Sequence, residues 1–371
     1  MERKIPLARP DITEAEIEAV VEVLRSGVLS IGPRVQEFEE RIKEFTGRRH
    51  AVAVNSGTSG LHLLIRAYGI GEGDEVITTS FSFVASANCI LFERAKPVFV
   101  DIDPSTYNLD ISLIEEKITP RTKAILPVDV FGQPVDMEAI MEIARRYGLV
   151  VIEDSCEAIG SKRRGKLAGT AGDAGVYAFY PNKQMTTAEG GVIVTDDDRV
   201  AELCRSMRSQ GRAVTGTWLH HERLGYNYRM SELHAALGVV QLKRLPEFIR
   251  RRQEVANRYR ELLAGVEGVV LPAVAEDVEV MSWFVYVVRF LPPLNRDRIM
   301  EYLLSRGIEC KPYFPPIHLQ PFYRELGYRE GDLPVTEEVA RQTLALPFYN
   351  HLTREEQEYV AEEVKKAVSL C

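Results

Sequence analysis

Three short segments carry side chains that could do chemistry together. Lys183 follows Pro181-Asn182 and precedes the turn Thr186-Thr187-Ala188-Glu189-Gly190-Gly191. A lysine set between two apolar runs, beside a glycine-bearing turn, is outside its usual surface setting. Burial or positive neighbours would lower its basicity enough to form a Schiff base. Asp154 follows the apolar run Leu149–Glu153. A carboxylate ending a buried run is costly unless partnered. One suitable partner is a protonated pyridine nitrogen, such as pyridoxal phosphate (PLP) needs to act as an electron sink. Asn55-Ser56-Gly57-Thr58-Ser59-Gly60 follows the run Ala51–Val54 and opens a helical pattern. Small residues at the positive end of a helix suit a phosphate. Each segment also has an ordinary reading: a hairpin lysine on the surface, an N-cap or salt-bridged aspartate, a plain capped strand-to-helix turn.

The elements that must position these residues follow from periodicity. Seven short apolar runs read as strands: Ala51–Val54, Glu75–Thr79, Pro97–Asp101, Ala124–Asp129, Leu149–Glu153, Val176–Tyr180 and Val192–Thr195. Helical patterns fall between them at Ser59–Tyr68, Phe83–Glu93, Ile111–Lys117 and Asp136–Tyr147. This alternation predicts an α/β fold with a mainly parallel sheet covered by helices. The last two runs leave no room for a crossover helix, so part of the sheet is expected to be antiparallel. In open α/β sheets ligands bind at the carboxyl ends of the strands, where all three segments fall.

After Thr195 the pattern changes. A helical stretch runs from Ser231 to Leu263, with Pro246 as an expected kink or break. A strand at Trp283–Phe290, a helix at Arg296–Arg306 and an aromatic, proline-rich loop at Lys311–Tyr323 follow. A last helix, Thr353–Val368, opens with a Thr-Arg-Glu-Glu capping box. The expected organisation is a large domain over 1–245 and a small C-terminal α+β domain over 246–371, with the first fifteen or so residues free to pack elsewhere.

Composition narrows the function class. A net charge of -8 over 371 residues argues against a sequence-independent nucleic-acid binder. No apolar stretch approaches the length that spans a bilayer, and the opening MERKIPLARP lacks a signal-peptide core, so a cytoplasmic chain is expected. Five cysteines, none close to another in sequence, read as reduced thiols, and neither they nor the seven histidines show metal-ligand spacing. Gly69-Ile70-Gly71-Glu72-Gly73 precedes a strand, so it reads as a turn and not a dinucleotide loop. The basic turn Lys162-Arg163-Arg164-Gly165-Lys166 reads either as a diphosphate contact or as a solvated hairpin tip.

The chain resembles the DegT/DnrJ/StrS family of PLP-dependent sugar aminotransferases, which have the aspartate aminotransferase-like PLP fold type I. The resemblance spans nearly the whole sequence. It is carried by Leu29-Ser30-Ile31-Gly32-Pro33, Asn55-Ser56-Gly57-Thr58, Val151-Ile152-Glu153-Asp154, Phe179-Tyr180-Pro181-Asn182-Lys183, Thr187-Ala188-Glu189-Gly190-Gly191, Gly225-Tyr226-Asn227-Tyr228-Arg229-Met230-Ser231-Glu232 and Pro312-Tyr313-Phe314-Pro315-Pro316-Ile317-His318. It implies a mixed, mostly parallel seven-stranded sheet. It also implies transamination from L-glutamate to a nucleotide-linked ketosugar, with pyridoxamine phosphate as the intermediate cofactor form.

By the same resemblance Lys183 would hold the cofactor and shuttle the proton, and Asp154 would pair with the ring nitrogen. Ser56, Gly57 and Thr58 would bind the phosphate, and Phe83 would stack on the ring. Asn227 would reach the cofactor phosphate of a neighbouring subunit, making a homodimer the smallest active unit. Ser30, Arg229, Tyr313, Phe314 and His318 would lie toward the sugar nucleotide. Two positions depart from the common pattern. Ala178 stands where the family usually has a phosphate-binding Ser, and Glu157 where many members have Gln or His. Glu157 is familiar in members of the perosamine-synthase kind and so implies a GDP-linked 4-keto-6-deoxyhexose. A dehydratase of the same fold would carry histidine in place of Lys183, and a regulatory protein would have no need of the Asp154 and Lys183 pair.

Overall fold

The computed structural model describes residues 4–213 and 219–370. The expected runs form strands β1 (His50–Val54), β2 (Glu75–Thr79), β3 (Lys96–Val100), β4 (Thr122–Leu126), β5 (Val150–Asp154), β6 (Ala174–Ala178) and β7 (Gly191–Thr195). They make one sheet in the order β1-β7-β6-β5-β4-β2-β3. The five strands from β3 to β6 are parallel, while β7 runs antiparallel to both β6 and β1. This is the geometry a short β6–β7 connection permits. Every residue of β2 and β7 is buried, as helices on both faces require.

The covering helices are α1 (Glu14–Ser26), α2 (Pro33–Thr46), α3 (Gly57–Ala67), α4 (Ala85–Phe92), α5 (Met137–Tyr147), α6 (Asp198–Arg208) and α7 (Glu232–Leu263). Two expectations shift. Ile111–Lys117 is not a helix but two single 3-10 turns, because Asp110 turns its side chain back to the Ser112 N–H and the segment is too short to recover. The helix expected from Phe83 starts at Ala85, which leaves Phe83 in the loop before it.

Pro246 does not break α7. The helix runs through it for 32 residues. Proline forfeits one helical hydrogen bond, but α1 and α2 pack along this helix and fix its course. The proposed boundary near residue 245 therefore falls inside a continuous rod.

Beyond α7, Val269–Val270, Tyr286–Phe290 and Thr343–Leu346 form a small antiparallel sheet. It shares a core of Val255, Tyr259, Trp283, Ile299, Val360 and Val364 with the flanking helices. Ile5 belongs to this core, paired with Ile308. The helix Arg354–Leu370 keeps its expected cap: Thr353 N–H donates to Glu356 at 2.8 Å and Glu356 N–H to the Thr353 hydroxyl at 3.2 Å.

Candidate active site

The carboxyl ends of β1, β5 and β6 open on a cavity of about 490 Å³. Ser56, Gly57, Thr58, Phe83, Asp154, Glu157, Lys183, Tyr313 and Phe314 all line it. The structure thus gathers residues up to 258 positions apart, from Ser56 to Phe314, on one space.

Asp154 is the last residue of β5 and 5% exposed. Its Oδ2 accepts from the Ser86 hydroxyl at 2.7 Å and its Oδ1 from the Cys156 N–H at 3.2 Å. Ser86 receives in turn from Ser82 at 2.8 Å, so a hydroxyl in the loop before α4 and one on its first turn aim a chain of hydrogen bonds at the carboxylate. Sequence reasoning did not single out Ser86. A serine in an apolar helix, spaced four from another serine, was the available signal.

Lys183 sits five residues past β6, held by its N–H donating to Tyr180 O at 2.9 Å. Its Nζ lies 3.4 Å from Glu157 Oε1 and 3.8 Å from the ring centroid of Phe284. The ammonium is therefore sandwiched between a carboxylate and an aromatic face. Glu157 is buried, with Oε2 accepting from the Phe131 N–H at 2.9 Å. Burial pushes its carboxyl above the ordinary range, and Lys183 opposes that rise. Arg252 of α7 fastens the arrangement from behind. Its guanidinium donates to the carbonyls of Trp283 (2.9 Å), Phe284 (3.1 Å) and Lys183 (3.1 Å). Burial pushes it down to about 10. Phe284 and Arg252 are further site residues that the sequence did not disclose.

The turn into α3 is built for close approach. Ser56 caps the helix by accepting from Ser59 N–H at 3.1 Å. A Cβ on Gly57 would stand 2.8 Å from both the Ala178 methyl and the Cys156 sulfur. A Cβ on Gly191 would stand 2.7 Å from the Gly57 nitrogen. Glycine at both places lets β1, β6 and β7 converge and leaves the helix end open to the cavity.

The other expected residues lie at the rim of the cavity or away from it. Phe83 is 61% exposed at the rim. His318 does not line the cavity. It is fully buried, between the Ser80 hydroxyl at 2.7 Å and Glu337 at 3.1 Å, and so anchors the loop that carries Tyr313 and Phe314. Ser30, Asn227 and Arg229 do not line the cavity either. Ser30 is exposed in a turn whose following N–H groups, from Gly32, Arg34 and Val35, donate to the buried Glu232 carboxylate. Asn227 is exposed. Arg229 donates to Gln210 at 2.7 Å; burial and the neighbouring Arg212 and Arg208 lower its pKa. The basic turn is a hairpin of Lys162–Arg163 and Lys166–Leu167 whose Arg163 and Arg164 pair with Asp136, Glu138 and Asp277. It lines a separate small cavity, which favours the hairpin reading. Among the described residues no group of three or more His, Cys, Asp or Glu could hold a metal ion, and no helix is long and apolar enough to cross a membrane.

Comparison with known proteins gives this arrangement a lineage. GDP-perosamine synthase from Caulobacter vibrioides is 41% identical, over 94% of this chain and 94% of its own. S. venezuelae DesV, solved in complex with a ketimine intermediate, superposes with a TM-score of 0.90 at 37% identity, over 95% of this chain and 94% of its own. Helicobacter pylori PseC, an aminotransferase involved in the biosynthesis of pseudoaminic acid, superposes with a TM-score of 0.95 at 31% identity, over the full length of both chains. The mixed seven-stranded sheet is the fold type I architecture of such enzymes. The model of the DegT/DnrJ/EryC1/StrS aminotransferase family matches residues 10–365, and this chain is a member of that family.

Proposed function

We propose that this aminotransferase uses pyridoxal 5'-phosphate to carry an amino group from L-glutamate to a nucleotide-linked keto-deoxysugar, a 4-keto-6-deoxyhexose. The observation that carries the reading is the convergence of an amine, a carboxylate and an open helix N-terminus on one cavity. The residues fit the cofactor: Lys183 for its aldehyde, Asp154 for its ring nitrogen and the Ser56-Gly57-Thr58 turn for its phosphate. When bound, the cofactor supplies an electron sink for the bond-breaking at the amino-acid carbon.

The chain's own residues do the rest. Asp154, held by Ser86 and the Cys156 N–H, would keep a proton on the ring nitrogen of the bound cofactor. Lys183 would hold the cofactor and, as a free amine, would serve as base and then acid for the proton that moves in the reaction. Glu157 is the charge partner for that amine. Phe83 would cover one ring face. Tyr313 and Phe314 wall the substrate side of the cavity, with His318 as their anchor. Ser30, Arg229 and Asn227 would serve a site completed by a second copy, so the working unit is a homodimer. A division near residue 245 puts the cofactor residues on the large domain and the aromatic wall on the small one. The GDP-perosamine synthase relationship and Glu157 favour a GDP-linked acceptor.

The test is an absorbance scan of the PLP-loaded protein before and after L-glutamate alone. Replacement of the lysine-bound PLP band by the pyridoxamine phosphate band, with stoichiometric 2-oxoglutarate, is the expected result. Titration of that form with GDP-, UDP- and dTDP-linked 4-ketosugars then identifies the acceptor. A protein that binds no PLP, or whose Lys183→Ala variant turns over normally, overturns the reading.

A further inference from the structure

We propose that His62 and Glu93 form a positioning clamp, which holds Tyr226 and Tyr228 so that Asn227 is presented outward to the cofactor phosphate of a second copy of this chain. The inference rests on the proposed sharing of Asn227 between subunits and adds how that residue is aimed.

The segment around Asn227 is extended. Asn227 bridges Ser209, and Arg229 bridges Val54, both antiparallel. Successive side chains on such a segment point to opposite faces. Tyr226 and Tyr228 share one face, their rings stacked 4.8 Å apart at 10°. Asn227, between them, is exposed on the other.

The tyrosine face meets a closed network. The Tyr228 hydroxyl lies 3.1 Å from His62 Nδ1, and His62 Nε2 lies 2.8 Å from Glu93 Oε1. The Tyr226 hydroxyl donates to the same Glu93 oxygen at 3.1 Å, and Arg66 donates to Glu93 Oε2 at 2.8 Å. One tautomer satisfies the set: the histidine donates to the carboxylate and accepts from Tyr228. His62 is 4% exposed, so its hydrogen bonds have no water to replace them. His62 and Arg66 lie on α3, the helix whose first turn lines the cavity, and Glu93 follows α4. The clamp therefore fixes Asn227 to the same rigid pair of helices that frames this subunit's own site. Asn227 itself lies beside that site without lining it: Asn55, at the end of β1, donates its side-chain N–H to the Asn227 carbonyl at 3.4 Å and its backbone N–H to the Tyr228 carbonyl at 2.8 Å.

The test is PLP affinity, read from the absorbance of lysine-bound cofactor, in homodimers and in hybrids with Lys183→Ala subunits. Tyr228→Phe keeps the stack and removes the bond to His62; Glu93→Ala removes the hub. In homodimers, Tyr228→Phe weakens PLP binding about tenfold, the equivalent of one buried hydrogen bond. In a hybrid, the lysine-bearing site belongs to the Tyr228→Phe subunit but takes Asn227 from the partner, so affinity returns to the wild-type value. Unchanged affinity in the Tyr228→Phe and Glu93→Ala homodimers, or a defect that persists in the hybrids, overturns the clamp. Asn227→Ala in the same format separates the two ideas. If it weakens PLP in homodimers and is rescued in hybrids while Tyr228→Phe has no effect, only the clamp fails. If it has no effect, the shared-site reading and the clamp fail together.

Discussion

Ser86→Ala isolates what the hydroxyl chain does for Asp154. The Ser86 hydroxyl has one proton and approaches Asp154 Oδ2 at 2.7 Å, whereas the Phe83 carbonyl lies 3.2 Å away, so the carboxylate receives it. Among the described residues the carboxylate's other partners are on Cys156: the N–H donates to it at 3.2 Å, and the thiol is within hydrogen-bonding reach of it. Ser86 is 1% exposed and Ser82 5%, so water does not step in when the hydroxyl is lost. A hydrogen bond to a charged acceptor contributes about 1.5–3 kcal/mol, and an unpaired buried acceptor forfeits at least that. At roughly 1.4 kcal/mol per factor of ten, the variant loses about 10- to 100-fold in PLP affinity, in the single-turnover rate with L-glutamate, or shared between them. Ser82→Ala is milder, because Ser86 still donates. Apo-protein titrated with PLP, followed by stopped-flow mixing with L-glutamate, measures both quantities. If Ser86→Ala matches wild type in each, Asp154 is not held through Ser86, and the hydroxyl chain has no part in positioning the carboxylate.

Two further perturbations follow from the same geometry. Gly57→Ala forces a methyl to within 2.8 Å of Ala178 and Cys156; overpacking of this kind costs about 1–3 kcal/mol. A lowered melting temperature and weakened PLP binding are expected, with partial recovery on adding Ala178→Gly. Asp129 is buried beneath the site, and burial, reinforced by Glu153, pushes its carboxyl up to about 8. The folded form then keeps a proton that the unfolded chain has lost, so stability falls as pH rises from the ordinary carboxylate range through about 8, by at most ~1.4 kcal/mol per pH unit for this group. Urea unfolding at about pH 6 and about pH 8.5, either side of most of that titration, should show the fall, and Asp129→Asn should flatten it. An equal fall in the variant refutes the assignment to Asp129.

Local patterns made the sheet legible. Apolar runs located all seven strands of the large sheet to within three residues at either end, because a strand buried on both faces has little freedom in composition. The antiparallel β7 followed from the length of its connection alone. The placement of Lys183, Asp154 and Gly57 at strand ends was equally visible, since it depends on chain order. What stayed hidden was set by distant chain. Arg252 contacts the Lys183 carbonyl from 69 residues away, and nothing around it in sequence distinguishes it from the other arginines of α7. His318 sits in an aromatic loop that looks ligand-facing, yet Ser80 and Glu337 claim both of its ring nitrogens. Pro246 marked a kink or break, yet the helix runs through it with α1 and α2 packed alongside.

The pairing of Ile5 with Ile308 sets a clock on biosynthesis. Ile5 leaves the ribosome and finds its partner only after some 300 more residues have been added. At roughly 5–20 residues per second, that is a delay of about 15–60 s. β1 waits too, because its one neighbour in the sheet is β7. Until β7 is made the nascent chain presents an unpaired first strand, and until Ile308 is made an unburied segment around Ile5. Folding on the ribosome must therefore begin inside the parallel block β2 to β5, and the cavity closes among the last events.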